Sequence, residues 1–222
     1  MTTLARLLQL ASPALPVGAY SYSQGLEAAV EAGVVADAGS AGRWIGDALK
    51  LNVAKFEAPA WCLLYKAWRE RDFVEVRRVN DWFRCTRETF ELRAETVQMG
   101  YSLRRLCVEL GEFDPASVKE LHSMDEIVFP AAFTFAAVQW GIDERDGLVA
   151  YLWSWLENQV MAALKAVPLG QTDGQRLLLG LGKSLPEIAE EAAATDRLAN
   201  FAPALAIASS RHEAQYSRLF RS

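Results

Sequence analysis

The 222-residue sequence has few of the side chains that usually bind metals or form disulfides, with only three cysteines and two histidines. Cys62, Cys85 and Cys107 form no CxxC pair, and their odd number fits reduced thiols better than a disulfide framework. We expect all three to be core residues. The histidines, His122 and His212, define no metal-binding pattern with these cysteines, so we predict a structural role for each.

Long apolar runs are also lacking. The longest, residues 128–138, is interrupted by Thr134 and is too short to span a bilayer. The apolar N-terminal segment imitates a signal peptide, but Gln9, Pro13 and Pro16 interrupt it. We therefore expect a cytoplasmic protein with no membrane contact.

Positive charge is in deficit, because 23 Lys and Arg residues face 28 Asp and Glu residues, giving a net charge of −5. Nucleic-acid binding requires clustered cations that displace counterions from phosphates, so this balance disfavours it. Hydrophobic residues make up 51% of the chain. That content is sufficient for a substantial core without disulfides or metal.

The hydrophobic pattern has a helical period almost throughout, and no alternation typical of strands is evident. Trp61, Leu64, Tyr65 and Trp68, at i, i+3, i+4 and i+7, illustrate this period. No repeat or long linker divides the chain. The sequence predicts one all-α, helical-bundle-like domain over residues 1–222.

Several local features refine this prediction. Ser40 is a candidate N-cap, and the segment 184–187 has the sequence of a capping box. Glu91 and Glu95 are like charges at i, i+4, an unfavourable pair that we expect Arg87 or Arg93 to offset.

The last segment, residues 203–222, mixes apolar and polar residues without a clean stripe. We predict a tail with no obvious helix of its own. Its apolar side chains need a surface, supplied either by the rest of the chain or by a partner.

Two short motifs resemble catalytic ones but are incomplete. Gly182-Lys183-Ser184 ends like a phosphate-binding loop, but Leu177 stands where the first glycine is required. His212-Glu213 begins like a zinc-protease motif, but Tyr216 occupies the position of the second histidine. No serine lies in a nucleophile elbow, so the residues predict no catalytic site.

Four segments together resemble the UreF family of urease accessory proteins. They are LLQLASPALPVGAYSYSQGLE (7–27), TRETFELRAETVQMGYSLRRL (86–106), KAVPLGQTDGQRLL (165–178) and PALAIASSRHEAQYSRLFRS (203–222). They occur in order and span nearly the whole chain. The chain departs from the family at Tyr22, where many relatives carry a histidine, so a metal role for that histidine is not carried over.

The resemblance implies an all-α dimer that performs no chemistry itself. It implies a complex with UreD (UreH in some systems), recruitment of the GTPase UreG, and action on apo-urease. Nickel would be the cargo of that assembly, and GTP would be bound by UreG, so no cofactor is expected on this chain.

The resemblance also implies partner contacts in three places, with no catalytic, cofactor or metal residues. We predict that the tail, residues 203–222, binds UreD and contributes to the dimer, and that the turn after Lys165 contacts the GTPase or the enzyme complex. The candidate partner-binding residues are Ser23, Gln24, Glu27, Lys165, Pro168, Gly170, Gln171, Arg211, His212, Tyr216, Arg218, Leu219 and Phe220.

Two alternatives of other classes stay open on sequence. A helical enzyme of unknown reaction would require a pocket with perturbed titrating groups. A direct nickel carrier would have to hold nickel alone at micromolar or tighter affinity, which equilibrium dialysis measures.

Overall fold

The computed structural model describes residues 1–195 and 197–222, and these ranges contain helices and turns but no β-strand. The all-α prediction is confirmed. The helices are α1 (Thr3–Ala11), α2 (Leu26–Glu31), α3 (Ala38–Ala48), α4 (Ala58–Glu70), α5 (Phe73–Cys85), α6 (Phe90–Leu110), α7 (Pro115–Ser123), α8 (Phe129–Gln139), α9 (Glu144–Ala166), α10 (Gln171–Gly182), α11 (Leu185–Ala193) and α12 (Pro203–Glu213), with a 3₁₀ turn at Ala19–Ser21 and a π-helix at Leu49–Glu57. None of the helices in these ranges combines the length and apolar character that crossing a membrane requires.

The π-helix joins α3 to α4 without a break. The backbone is right-handed helical at both junctions, at Leu49 and at Glu57. Pro59 lies in the first turn of α4, the position that suits a proline. Because proline has no N–H to donate, it is tolerated where the hydrogen-bond register changes from π to α. The wider π turns place Glu57 among buried residues next to α4.

Helix α8 forms the centre of the core. Its residues 130–137 are all buried, as expected for a helix that is apolar on every side. It packs mainly between α4 and α6. Trp68 donates from its indole nitrogen to the carbonyl of Ala131 over 3.0 Å, which satisfies the polar atom of a buried aromatic residue.

Helix α9 connects the core to the N-terminal segments. It packs against α1, α2, α10 and α11. Its first half buries Tyr151, and its last turn leaves Lys165 exposed. The same helix therefore carries a buried polar group and a candidate partner residue.

Three local predictions were wrong. The N-cap of α3 is Asp37, whose carboxylate accepts from the Ser40 backbone nitrogen over 2.7 Å, so Ser40 is the third residue of the helix. At Ser184 no side chain caps α11, because this residue is already helical. Cys85 is exposed at the end of α5, whereas Cys62 and Cys107 are buried as predicted.

A glycine permits the close crossing of α6 over the start of α8. A Cβ at Gly100 would overlap the carbonyl oxygen of Ile127 and lie 2.7 Å from the carbonyl carbon of Val128. Both atoms belong to the backbone and cannot rotate away. We expect Gly100→Ala to destabilise the fold by about 1–3 kcal/mol, despite the better helix propensity of alanine.

Urea unfolding of Gly100→Ala measures this cost, with Gly180→Ala as the matched control. Gly180 also lies within a helix, α10, but a Cβ there would meet no atom within 4 Å. The control should be neutral or slightly stabilised. Equal stabilities for the two variants would contradict the tight crossing.

Candidate functional site

The C-terminal segment folds back onto the chain. Contrary to the predicted tail, it contains the helix α12, which packs against α2 and α6. The weak amphipathic pattern hid this helix because only Leu205, Ser209 and His212 are buried on it. After α12 the chain turns and its last five residues, 218–222, enter the interface between α2 and α6. We call these five residues the C-terminal hook.

A glycine also permits the approach of α12 to the start of α2. Gly25 has a φ of +79°, and a Cβ on it would lie 3.0 Å from the backbone nitrogen of Ser209. Gln24, directly before it, has a φ of +53°, which is uncommon for a residue with a side chain. Two left-handed residues in succession turn the chain sharply and direct Gln24 inward.

His212 lies between two carboxylates. Its Nδ1 is 2.6 Å from Glu91 Oε2 and its Nε2 is 3.1 Å from Glu27 Oε2. The imidazole is fully buried, and each of its ring nitrogens is within hydrogen-bond distance of a different carboxylate. Arg218 donates to the other oxygen of Glu91 over 2.6 Å. The contacts of His212 and Arg218 with Glu27 and Glu91 therefore join α2, α6, α12 and the hook.

The hook is also bound through its backbone. Glu27 accepts hydrogen bonds from the backbone nitrogens of Leu219 and Phe220, over 2.6 and 3.0 Å. The backbone nitrogen and hydroxyl of Ser23 both donate to the carbonyl of Ser222, over 2.7 and 2.6 Å. These bonds hold the hook in a defined position even though Leu219 itself is exposed.

Glu95 connects the hook to Gln24. Its two oxygens accept from Gln24 Nε2 over 2.7 Å and from the Ser222 hydroxyl over 2.8 Å. Burial raises the pKa of Glu95 to about 7, although these bonds and the nearby Arg87 act in the opposite direction. Gln24 in turn accepts from the indole nitrogen of Trp155 on α9 over 2.8 Å.

Lys165 brings a third segment to this region. Its ammonium lies 5.6 Å from the centroid of the Phe220 ring and 5.8 Å from that of Tyr20. At such distances a cation is attracted to the face of an aromatic ring. The structure therefore brings together the loop before α2, the end of α9 and the hook, which the sequence could only present as separate candidates.

The thirteen candidate residues divide into two groups by exposure. Five are buried and bind other parts of the chain, namely Ser23, Gln24, Glu27, His212 and Phe220. The other eight are exposed: Lys165, Pro168, Gly170, Gln171, Arg211, Tyr216, Arg218 and Leu219. Two of the exposed residues contact the buried group: Leu219 bonds to Glu27, and Lys165 lies over Phe220. Arg218 is exposed but pairs with Glu91.

Sequence reasoning missed Glu91 and Glu95 as members of this site. Their like-charge spacing was the available signal. Burial raises the pKa of Glu95, and Arg87, one of the two expected compensating groups, does act to lower it, but Glu91 is compensated by other groups. Arg87 pairs with Glu57 over 2.6 Å, while Glu91 pairs with His212 and Arg218 from the distant C-terminal segment. The unfavourable spacing of Glu91 and Glu95 was thus a sign that residues distant in the sequence pair with them.

The described ranges contain no group of three or more His, Cys, Asp or Glu side chains placed to hold a metal ion. The ring nitrogens of His212 each face a different carboxylate, so they do not converge with those carboxylates on one point. Burial raises the pKa of the Cys62 and Cys107 thiols to about 12, which keeps them protonated and weakly nucleophilic.

Comparison with known proteins gives a consistent result. A family model described as UreF matches residues 35–182. The chain is 58% identical to the urease accessory protein UreF of Azoarcus sp. (strain BH72), over 99% of this chain and 95% of that protein. It is 55% identical to UreF of Dechloromonas aromatica (strain RCB), over 99% and 97% of the two chains.

It is also 50% identical to a bifunctional urease accessory protein UreEF of Bordetella bronchiseptica, over 99% of this chain and 52% of that protein. The family model covers the helices from α3 to α10, and the matches to the two UreF relatives cover 99% of this chain. The chain belongs to the UreF family of urease accessory proteins.

Proposed function

We propose that this chain is a non-enzymatic scaffold in urease maturation. It binds UreD (UreH), recruits the GTPase UreG, and assists nickel insertion into apo-urease as a cytoplasmic homodimer. Nickel is the cargo of the assembly and GTP is bound by UreG, so the chain itself needs no cofactor. The bifunctional name of the Bordetella relative supports a UreF part that works beside a second accessory part.

The observation that carries the proposal is the surface around the C-terminal segment. Tyr216 and Leu219 are 105% and 71% exposed. Phe90 is 73% exposed and directly precedes Glu91, which bonds to Glu213 and Arg218 of the C-terminal segment. Large apolar side chains exposed this far are typical of interaction surfaces when they lie together and are held rigidly. The hydrogen bond from Glu91 N to Glu213 Oε1, 3.1 Å long, fixes the start of α6 against α12.

Because buried hydrogen bonds already hold the C-terminal hook in place, it loses little backbone entropy when a partner binds this surface. A segment that must order on association loses backbone entropy, on the order of 1–2 kcal/mol per residue. The hook is already anchored to Ser23, Glu27 and Glu95, so a partner meets a prearranged surface. UreD is the partner that we assign to it.

Substituting the exposed residues tests UreD binding without removing the buried bonds. We expect Tyr216→Ser/Leu219→Ser to fold normally and to reduce UreD pull-down at least tenfold, because anchoring apolar side chains dominate interface energies. Val74→Ser, at a position 80% exposed on α5, is the control and should bind like the wild type. Full UreD binding by the double variant would refute this assignment.

Lys165 tests the recruitment of UreG separately. Its side chain is exposed and packs only loosely on Tyr20 and Phe220, so Lys165→Ala should change stability by less than about 1 kcal/mol. We expect it to weaken UreG pull-down in the presence of UreD and to lower urease activation. Lys183→Ala, another exposed lysine, is the control. Unchanged recruitment and activation would remove Lys165 from the binding surface.

A further inference from the structure

A cavity of about 170 Å³ lies between the N-terminal segment, α6 and α9. Its walls are mostly apolar and include Leu10, Leu15, Val17, Met99 and Phe129. The exposed side chains of Tyr20, Met161 and Lys165 stand at its rim, so it opens to solvent there. Concave, mainly apolar sites with a few polar groups at one end are typical of small-molecule binding sites.

A buried guanidinium lies at the inner end of the cavity, and one of its donors has no partner among the residues that the structure describes. Arg87 is 5% exposed and donates from Nη2 to Glu57, and within the described residues its Nε has no partner. Its guanidinium also lies 4.8 Å from the centroid of the Phe83 ring. A guanidinium has five N–H donors, and those of a buried one are normally satisfied.

The neighbouring acceptors are already occupied. Glu57 accepts from Arg87 and from the Tyr151 hydroxyl, over 2.6 Å each. Glu95 accepts from Gln24 and Ser222. Within residues 1–195 and 197–222, Arg87 Nε therefore lacks an acceptor, which a ligand would have to bring. An ammonium group would reach the oxygens of Glu57 and Glu95 only in competition with the donors already bound to them.

The charge at the inner end also limits the ligand. Arg87 and Glu57 neutralise each other, and Glu95 adds negative charge once it ionises, which its raised pKa places near neutrality. Glu157 and Lys165, which also line the cavity, add one charge of each sign. An anion would therefore meet a site with no net positive charge, at a high desolvation cost. A neutral acceptor, such as a carboxamide or ketone oxygen, can accept from Arg87 without the desolvation cost of burying a charge.

We propose that this cavity binds a small neutral organic molecule with an apolar body, on the order of ten non-hydrogen atoms, whose carbonyl oxygen accepts from Arg87. The apolar body lies against Leu15, Met99 and Phe129. This site is separate from the exposed surface assigned to UreD, although Gln24 and Glu95 contribute to both the cavity and the hook.

Three probes of matched shape test the proposal on the full chain: benzamide, benzoate and benzylamine. Each has one ring and about nine non-hydrogen atoms, and they differ in being neutral, anionic and cationic. Isothermal titration or amide chemical-shift perturbation should show benzamide binding with a dissociation constant of about 1 mM or tighter, as expected for a ligand of this size. Benzoate and benzylamine should each bind at least tenfold more weakly.

Ala11→Leu provides the blocking variant because Ala11 lines the cavity at the end of α1. Leucine keeps the helix and adds three carbons to the cavity. Ala5→Leu makes the same change on the same helix away from the cavity and is the matched control. Loss of benzamide binding in the first variant only is the expected result.

Three outcomes overturn the proposal. They are no binding by benzamide at millimolar concentration, tighter binding of benzoate or benzylamine than of benzamide, and equal benzamide binding by Ala11→Leu and the wild type. Pull-down of UreD by the Ala11→Leu variant separates this site from the partner surface, since that binding should be unchanged.

Discussion

Replacing His212 by alanine should destabilise the chain by about 3–5 kcal/mol. The substitution removes two hydrogen bonds from a fully buried position and leaves Glu27 and Glu91 facing a void. Arg218 can compensate only Glu91, from a side chain that is 39% exposed. The charge of Glu27 would then depend on the two backbone N–H groups of the hook, so we expect the hook to detach as well.

The other histidine provides the control. His122 is exposed near the end of α7, so His122→Ala should change the free energy of unfolding by no more than about 0.5 kcal/mol. Urea unfolding of both variants measures the stabilities. Hydrogen exchange at the backbone nitrogens of Leu219 and Phe220 reports on the hook, since both are bonded to Glu27 in the wild type. If His212→Ala loses little stability and the amides of Leu219 and Phe220 stay protected from exchange, the contacts of His212 with Glu27 and Glu91 are dispensable.

The sequence predicted the helices well because each is encoded by neighbouring residues. The apolar run of α8 and the period of α4 require only local information, and both were confirmed. The π-helix was not predicted, because a change of hydrogen-bond register leaves the average hydrophobic period nearly unchanged. The helix α12 was missed for a related reason, since its buried face contains Ser209 and His212, which do not look apolar.

The site was predictable only in part. The resemblance selected the loop before α2, Lys165 and the C-terminal segment, and these prove to be neighbours. The partners of Glu91 could not be derived, because His212 lies 121 positions further along the chain. Pairing over such separations depends on how helices pack, which a single sequence does not specify. Which of the exposed residues contacts which partner stays a prediction.

Glu95 should make the stability of the chain depend on pH near neutrality. Burial raises its pKa from an ordinary value of 4.5 to about 7 in the folded state. Between these values the folded chain retains a proton that the unfolded chain has lost, so this group's contribution to stability falls as the pH rises. A difference of 2.5 pKa units corresponds to about 3 kcal/mol.

Glu95→Gln isolates this effect because glutamine is neutral at every pH and has nearly the same shape. Its carbonyl oxygen can still accept from Gln24, and its amide can donate to the Ser222 hydroxyl, which can accept. We therefore expect the stability of the variant, relative to wild type, to rise by about 3 kcal/mol between about pH 4.5 and 8.

The quantity to follow is the difference in free energy of unfolding between Glu95→Gln and wild type at each pH, because other carboxylates make stability rise with pH. Hydrogen bonds from Ser40 and Ser117 hold the pKa values of Asp37 and Asp114 below their ordinary range, so these groups stabilise the fold as the pH rises. Both are present in wild type and variant and cancel. Urea unfolding at half-unit pH steps gives the difference, and Glu88→Gln, an exposed site, controls for the loss of one charge. A Glu95→Gln difference that does not change with pH would mean that Glu95 is already ionised at pH 5. The link from Gln24 through Glu95 to the hook would then be a charged one, held at its full strength throughout the physiological range.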